Sequence, residues 1–201
     1  MVSYRRTVSM LLLSCCLFIT STNIAEALAY NNVVLDYQFP ITYYSSMYFS
    51  NETRSGQQNA IAQWNSATGI YLITISSIEH NNPDNFPANN GVSAIYCLNR
   101  PYTPYIGLNA IYTIKNSPYT YNIVVESDIL YNCSFSLTNY PNIDKNSFDV
   151  ESICLHEVGH IVGIDDSYAS IGSAMYYSLN MGQSKRSLSI EDIITAMLRY
   201  V

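Results

Sequence analysis

The run His156-Glu157-Val158-Gly159-His160 constrains this chain more tightly than any other feature. Residues four apart stack on one face of a helix, so both imidazoles can aim at a single point. Glu157 lies about 100° round the helix, beside that point. The flanks agree with a helix over 148–163. Asp149 suits the N-cap, Glu151 suits the first turn, Gly163 ends it, and Val150, Ile153, Val158, Ile161 and Val162 bury the other side. Two histidines and a glutamate so placed fit a zinc hydrolase site, in which the histidines hold the metal and the glutamate takes a proton from its water. Zinc brings the pKa of that water to about 7. Five residues alone also arise by chance on ordinary helices, but the pattern here runs on. Gly163 allows a left-handed turn back toward the ion, and Asp166 follows where a third ligand belongs. A catalytic zinc takes three protein ligands and keeps one position open.

The chain that must bury this helix has 201 residues, enough for one domain and a short leader. Arg5 and Arg6 precede the apolar run from Val8 to Thr20, and Ala27 and Ala29 fit a signal-peptidase site, so residues 1–29 read as a signal peptide cleaved after Ala29. The run is shorter than the roughly 20 residues a membrane span needs. A lipoprotein reading at Cys15 is the lesser alternative, because the apolar run continues through Leu17, Phe18 and Ile19. The expected product is a secreted, soluble monomer over residues 30–201, with a periplasmic or lipid-anchored form less favoured. The net charge is -6, and removal of Arg5, Arg6 and Glu26 leaves it more acidic still. A nucleic-acid binder would show a basic face, and none is present. Three cysteines survive cleavage, Cys97, Cys133 and Cys154. Cys154 reads as a small core residue; whether Cys97 joins Cys133 the sequence leaves open.

The predicted order is strand, helix, four strands, helix, irregular segment, helix. That is an α/β (α+β) domain of about 170 residues. The strands are read at 35–46, 70–78, 92–98, 106–114 and 122–132, with a loop at 79–91 and a turn near 115–121. The first helix is read over 55–69, with Trp64 as a core anchor. The last spans 187–201, with Ser189 and Asp192 as a capping box and Ile190, Ile193, Ile194 and Met197 as its buried stripe. His80 reads as an exposed loop residue, and Lys185 and Arg186 as a solvated loop.

"HEVGHIVGIDD" resembles the H-E-x-x-H-x-x-G-x-x-H motif of the metzincin zinc endopeptidases, with Asp166 in place of the usual third histidine. "SAMYY" resembles their Met-turn, with Met175 beneath the metal. "ITYYSS", "AIAQWNSATGI", "VVESDILYN" and "LSIEDIITAM" look like matrixin elements, so the likeness covers most of 33–200. It implies a twisted five-stranded mixed sheet, two long helices and a C-terminal helix. It further implies one catalytic zinc on His156, His160 and Asp166, with Glu157 as general base and a protein or peptide substrate. Extended peptide would pair along an edge strand assigned to "IGLNAIYTI". The pocket beyond the scissile bond would be shaped by the loop from about Tyr176 to Ser187. The S-x-M-x-Y spacing resembles that of astacins and serralysins, which implies that Tyr177 assists as a second catalytic residue. A cysteine-switch propeptide and the histidines for a second zinc are lacking, and no acidic loop makes a case for calcium.

Two other readings compete with a secreted zinc endopeptidase. A zinc-stabilised binding module or adhesin would keep the fold without the chemistry. Glu157 argues against it, because a structural site needs no base and prefers four ligands. A site completed by Glu191, the only glutamate downstream, would leave Gly163 and Asp166 unexplained.

Overall fold

Alternating β-branched and aromatic residues build the sheet, and the helices lie where the alternation gives way to a 3.6-residue period. The structure, a computed structural model, describes residues 5–12, 33–36, 40–78, 80–81, 86–115, 121–138 and 144–200. Cleavage after Ala29, lipidation at Cys15 and the turn over 116–120 lie outside the described residues. The strands are β1 (Arg5–Leu12), β2 (Val33–Val34), β3 (Ile41–Ser45), β4 (Ile73–Ile75), β5 (Ser93–Leu98), β6 (Tyr105–Lys115), β7 (Asn122–Asn132), β8 (Leu137–Thr138) and β9 (Phe148–Asp149). The helices are α1 (Asn51–Thr68), α2 (Val150–Ile161) and α3 (Ile190–Tyr200).

The main sheet is mixed and mostly parallel, ordered β1-β6-β7-β5-β3-β4 with β2 on β7, while β8 and β9 form a separate pair. It holds seven strands where five were expected. The two extra strands are β1, which falls within the expected leader, and the two-residue β2. β6 runs antiparallel to β7 on one side and to β1 on the other. The strand expected to offer a free edge therefore carries residues 5–12 of its own chain.

Ser50 caps α1 by accepting from the Thr53 N–H at 3.2 Å, so α1 begins at Asn51, earlier than its apolar period suggests. Trp64 is fully buried and donates its indole N–H to Leu155 O on α2 at 2.7 Å. Cys97 and Cys133 form a disulfide, with Cα atoms 5.8 Å apart, and Cys154 is free and buried. On the opposite face of the sheet Ala94, Tyr96 and Leu130 make a small second cluster under Phe86. The 88–91 loop crosses there and is held by buried carboxylates. Asp128 accepts from the Ala88 N–H, and Glu126 accepts from those of Asn90 and Gly91.

α3 departs from its predicted stripe. Ile190, Ile194, Met197 and Leu198 are exposed, and the buried face is Asp192, Thr195 and Ala196, with Ile193 only partly buried against the core. The expected capping box does form. Ser189 N–H donates to Asp192 Oδ2 at 2.8 Å, and the Asp192 N–H donates to Ser189 Oγ at 3.1 Å.

Candidate active site

The site is built on α2, all of whose residues are buried. Asp149 caps it, accepting from the Ser152 N–H at 3.1 Å. At the other end the Ile164 N–H returns to Gly159 O at 3.1 Å and that of Gly163 to His160 O at 3.2 Å. This turn needs a residue of positive φ. Gly163 has φ 97°, and a side chain there would meet Val33 O and Arg199.

The turn brings Asp166 back to the helix. His156, His160 and Asp166 each offer a ligand atom, and all three atoms lie within 4.8 Å of one another. The Nε2 atoms of His156 and His160 stand 3.1 Å apart, and Asp166 Oδ1 is 3.2 Å from the first and 3.8 Å from the second. Each ring is fixed by its other nitrogen, His156 Nδ1 lying 2.9 Å from Ala174 O and His160 Nδ1 2.9 Å from Ile164 O. A nitrogen that bonds a carbonyl carries the proton, so in the neutral rings both Nε2 atoms present lone pairs inward. Two such lone pairs and a carboxylate oxygen converge only around positive charge. The donor set and its spacing therefore fit a divalent metal of the zinc type.

Protonation follows the same logic. Burial pushes His160 down to about 4, helped by the neighbouring His156. Burial alone would lower His156 too, but Asp166 and Glu157 raise it above the usual histidine value. Burial works against the Asp166 charge, yet His156 and His160 hold its carboxyl below the usual range.

Glu157 is fully buried, and neither carboxylate oxygen has a hydrogen-bond partner among the described residues. Burial pushes it up to about 8, His156 opposing and Asp166 adding to the shift. β6 runs directly past it. A Cβ at Gly107 would stand 2.7 Å from Glu157 Oε1 and 2.6 Å from Ile153 Cγ2, so only glycine leaves room for the carboxylate. Behind it a buried polar chain crosses the sheet: Tyr43 hydroxyl to Ser127 Oγ at 2.6 Å, Ser127 hydroxyl to Asn109 Oδ1 at 2.6 Å, and Asn109 Nδ2 to Glu157 O at 2.7 Å. Gly107, Asn109, Ser127 and Tyr43 are positioning residues the sequence reading missed. A glycine inside a β-branched strand was the one available signal.

Met175 is buried against Gly159, where a side chain at 159 would collide with its sulfur. The segment carrying it pairs with the residues that follow Asp166. Ser167 N–H donates to Met175 O at 2.7 Å and Tyr177 N–H to Ser167 O at 3.0 Å. Asp192 of α3 clamps this segment, accepting from the Ser173 hydroxyl at 2.5 Å and the Ala174 N–H at 2.9 Å. The Tyr177 ring stacks on Tyr168, centroids 5.0 Å apart. Glu191 lines a cavity with Asp165 and Asp166 but is no part of the cluster, and His80, read as exposed, is half-buried where it bridges Ser46 just past β3.

No family model matches the sequence, and no curated protein does. Among solved structures the chain is similar to high choriolytic enzyme 1, a hatching enzyme zinc-protease from Oryzias latipes (Medaka fish). The two share 11% identity at a TM-score of 0.39, over 90% of this chain and 98% of that one. A likeness so distant carries no argument, and the function is read from the residues of the site.

Proposed function

We propose that this chain is a zinc-dependent endopeptidase, exported and acting on protein or peptide. The observation that supports the reading most directly is the convergence of His156, His160 and Asp166 beside an unpartnered, buried Glu157. A structural metal site would not keep a glutamate there, because two desolvated oxygens without partners cost stability and contribute none. His156, His160 and Asp166 would hold the ion. Zinc in that place supplies an acidified water and a Lewis acid for the scissile carbonyl.

Glu157 takes the proton of the attacking water and passes it to the leaving amine. The value of about 8 is that of the metal-free site; a cation held beside the carboxylate would favour its charged form, the form that accepts a proton. Asn109 fixes the backbone of Glu157, and Gly107 gives its carboxylate space. Met175 supports the histidines from below. Tyr177, beside the Asp166 loop, donates its hydroxyl to the developing oxyanion, and Tyr177→Phe should lower kcat by about 10²-fold. Extended substrate would pair with β6, the strand that β1 covers in the full chain, so removal of residues 1–29 would present that edge.

The experiment is direct. Protein lacking residues 1–29 is incubated with casein, with and without a zinc chelator. Cleavage that the chelator abolishes and added zinc restores is the expected result. Bound zinc without cleavage in any condition would favour a binding module.

A further inference from the structure

We propose that the cavity beside the site selects a carboxylate, and that Lys185 is the specificity-determining residue. The proposal rests on the peptidase reading and names its substrate class: peptides with a negative charge next to the scissile bond.

A cavity of about 700 Å³ opens between the segment carrying Tyr176 and Ser178 and the loop carrying Gln183, Lys185 and Arg186. It adjoins the metal cluster through two elements. The Lys185 N–H donates to Ser152 Oγ at 2.7 Å, and Ser152 stands one turn of α2 before His156, about 6 Å along the helix axis. Tyr176 follows Ala174 and Met175, and the carbonyl of Ala174 holds the ring of His156. In the proposal, a peptide with its scissile bond at the cluster places the next side chain in this cavity.

Its charge is unusual for this molecule. The chain carries -6, yet Lys185 and Arg186 line the cavity and no aspartate or glutamate does. The two cations differ. Arg186 is spent on the fold, with Nη2 2.6 Å from Asp149 Oδ1, Nε 3.0 Å from Asp149 Oδ2, and Glu151 at 3.7 Å. Lys185 has no ion pair among the described residues. Its Nζ donates to Ser178 O at 3.3 Å and lies 4.3 Å above the Tyr176 ring. Those contacts aim the ammonium and leave two of its three protons for a ligand. Burial pulls Lys185 down to about 8, with Asp192 opposing from α3. A half-buried cation with no carboxylate in direct contact gains from an arriving anion.

Two sources supply that carboxylate: an Asp or Glu side chain in an internal peptide, or the free C-terminus of a short one. The test uses fluorogenic peptides identical except for Glu, Gln or Leu after the scissile bond, each ending in a carboxamide. A parallel Leu set ends in a free carboxylate two residues on. Cleavage is measured on zinc-loaded enzyme lacking residues 1–29. Binding is measured by fluorescence anisotropy on its Glu157→Gln form.

The Glu peptide is expected to exceed the Gln peptide about tenfold in kcat/KM and in affinity, the scale of one charge-assisted contact. Lys185→Met should bring that ratio to near unity while the Leu carboxamide peptide is turned over within about twofold of wild type. A free-carboxylate preference confined to the short set would assign the terminal carboxylate as ligand. Lys185→Glu should reverse the order, so that the Glu peptide falls below the Gln peptide. An unchanged Glu-over-Gln ratio in Lys185→Met overturns the proposal, as does cleavage of all peptides with no charge preference, and both leave the peptidase reading intact. Lys185-dependent binding of the Glu peptide without cleavage retains the pocket and sinks the peptidase. Neither binding nor cleavage overturns both.

Discussion

α2 carries the site and α3 holds the Ala174 segment that fixes His156, and the two helices obey opposite rules. α2 is buried on every face and carries His156, Glu157 and His160 into the interior. α3 has the clearer amphipathic pattern, yet it turns Ile190, Ile194, Met197 and Leu198 outward and buries Asp192 and Thr195. A helix settles on the face that makes the stronger contacts, and for α3 that face is polar. Asp192 there receives the Ser173 hydroxyl and two backbone N–H groups, while its own N–H returns to Ser189. Inward polar groups mark both helices as parts of the site, α2 by chemistry and α3 by support.

The largest effect belongs to α2. Glu157→Gln keeps the shape of the side chain and removes its capacity to accept a proton. Peptidase activity should fall by about 10²–10⁴-fold, with zinc content unchanged on metal analysis. Wild-type turnover in this variant would remove Glu157 from the chemistry and the comparison with it.

The turn after α2 comes next. Asp166→Ala should strip the metal and the activity that depends on it, and Asp165→Ala should spare both. For the wild type, zinc in thousandfold excess over its Kd should stabilise the fold by about 4 kcal/mol, read as a rise in Tm on addition to stripped protein. Asp166→Ala should lose most of that rise. Equal losses in the two variants would mean that Asp165 shares the site.

α3 should respond through support rather than chemistry. Asp192→Ala leaves the Ser173 hydroxyl and the Ala174 N–H without their acceptor in a buried place, at a cost of about 2–4 kcal/mol. Ala174 holds His156, so zinc affinity should also drop, by about 10–100-fold. Asp192→Asn, which keeps one acceptor oxygen, should recover part of both. A variant that loses stability but keeps full affinity would separate α3 from the site.

Sequence legibility divided along the same line. β7 spans the residues read as a strand, and α2 carries its cap, first-turn acid and terminal glycine in plain view. Local chemistry fixes such features, so they can be read one residue at a time. The chain from Tyr43 through Ser127 and Asn109 to Glu157 could not be read, because it exists only once β3, β7 and β6 stand in register beside α2. Lys185 and Arg186 read as a solvated loop, but Arg186 is drawn in by the N-cap of α2 and Lys185 follows it to the cavity. The stripe of α3 misled for a related reason. Periodicity reports that a helix has two faces, and Asp192 decides which one turns inward.

The smallest effect tests the orientation of α3. Ile190 is 77% exposed and Leu198 62%, so serine at either position removes little buried apolar area. Each change should shift stability by no more than about 0.5 kcal/mol and leave zinc affinity and turnover unaltered. If the stripe faced the core, the same substitutions would cost about 2 kcal/mol or more, through lost burial and an unpaired hydroxyl. Urea unfolding of Ile190→Ser and Leu198→Ser beside Asp192→Ala therefore ranks the two faces of α3 directly. A polar change on the apolar face that outweighs the loss of Asp192 would reverse the orientation of the helix and detach it from the Met175 segment.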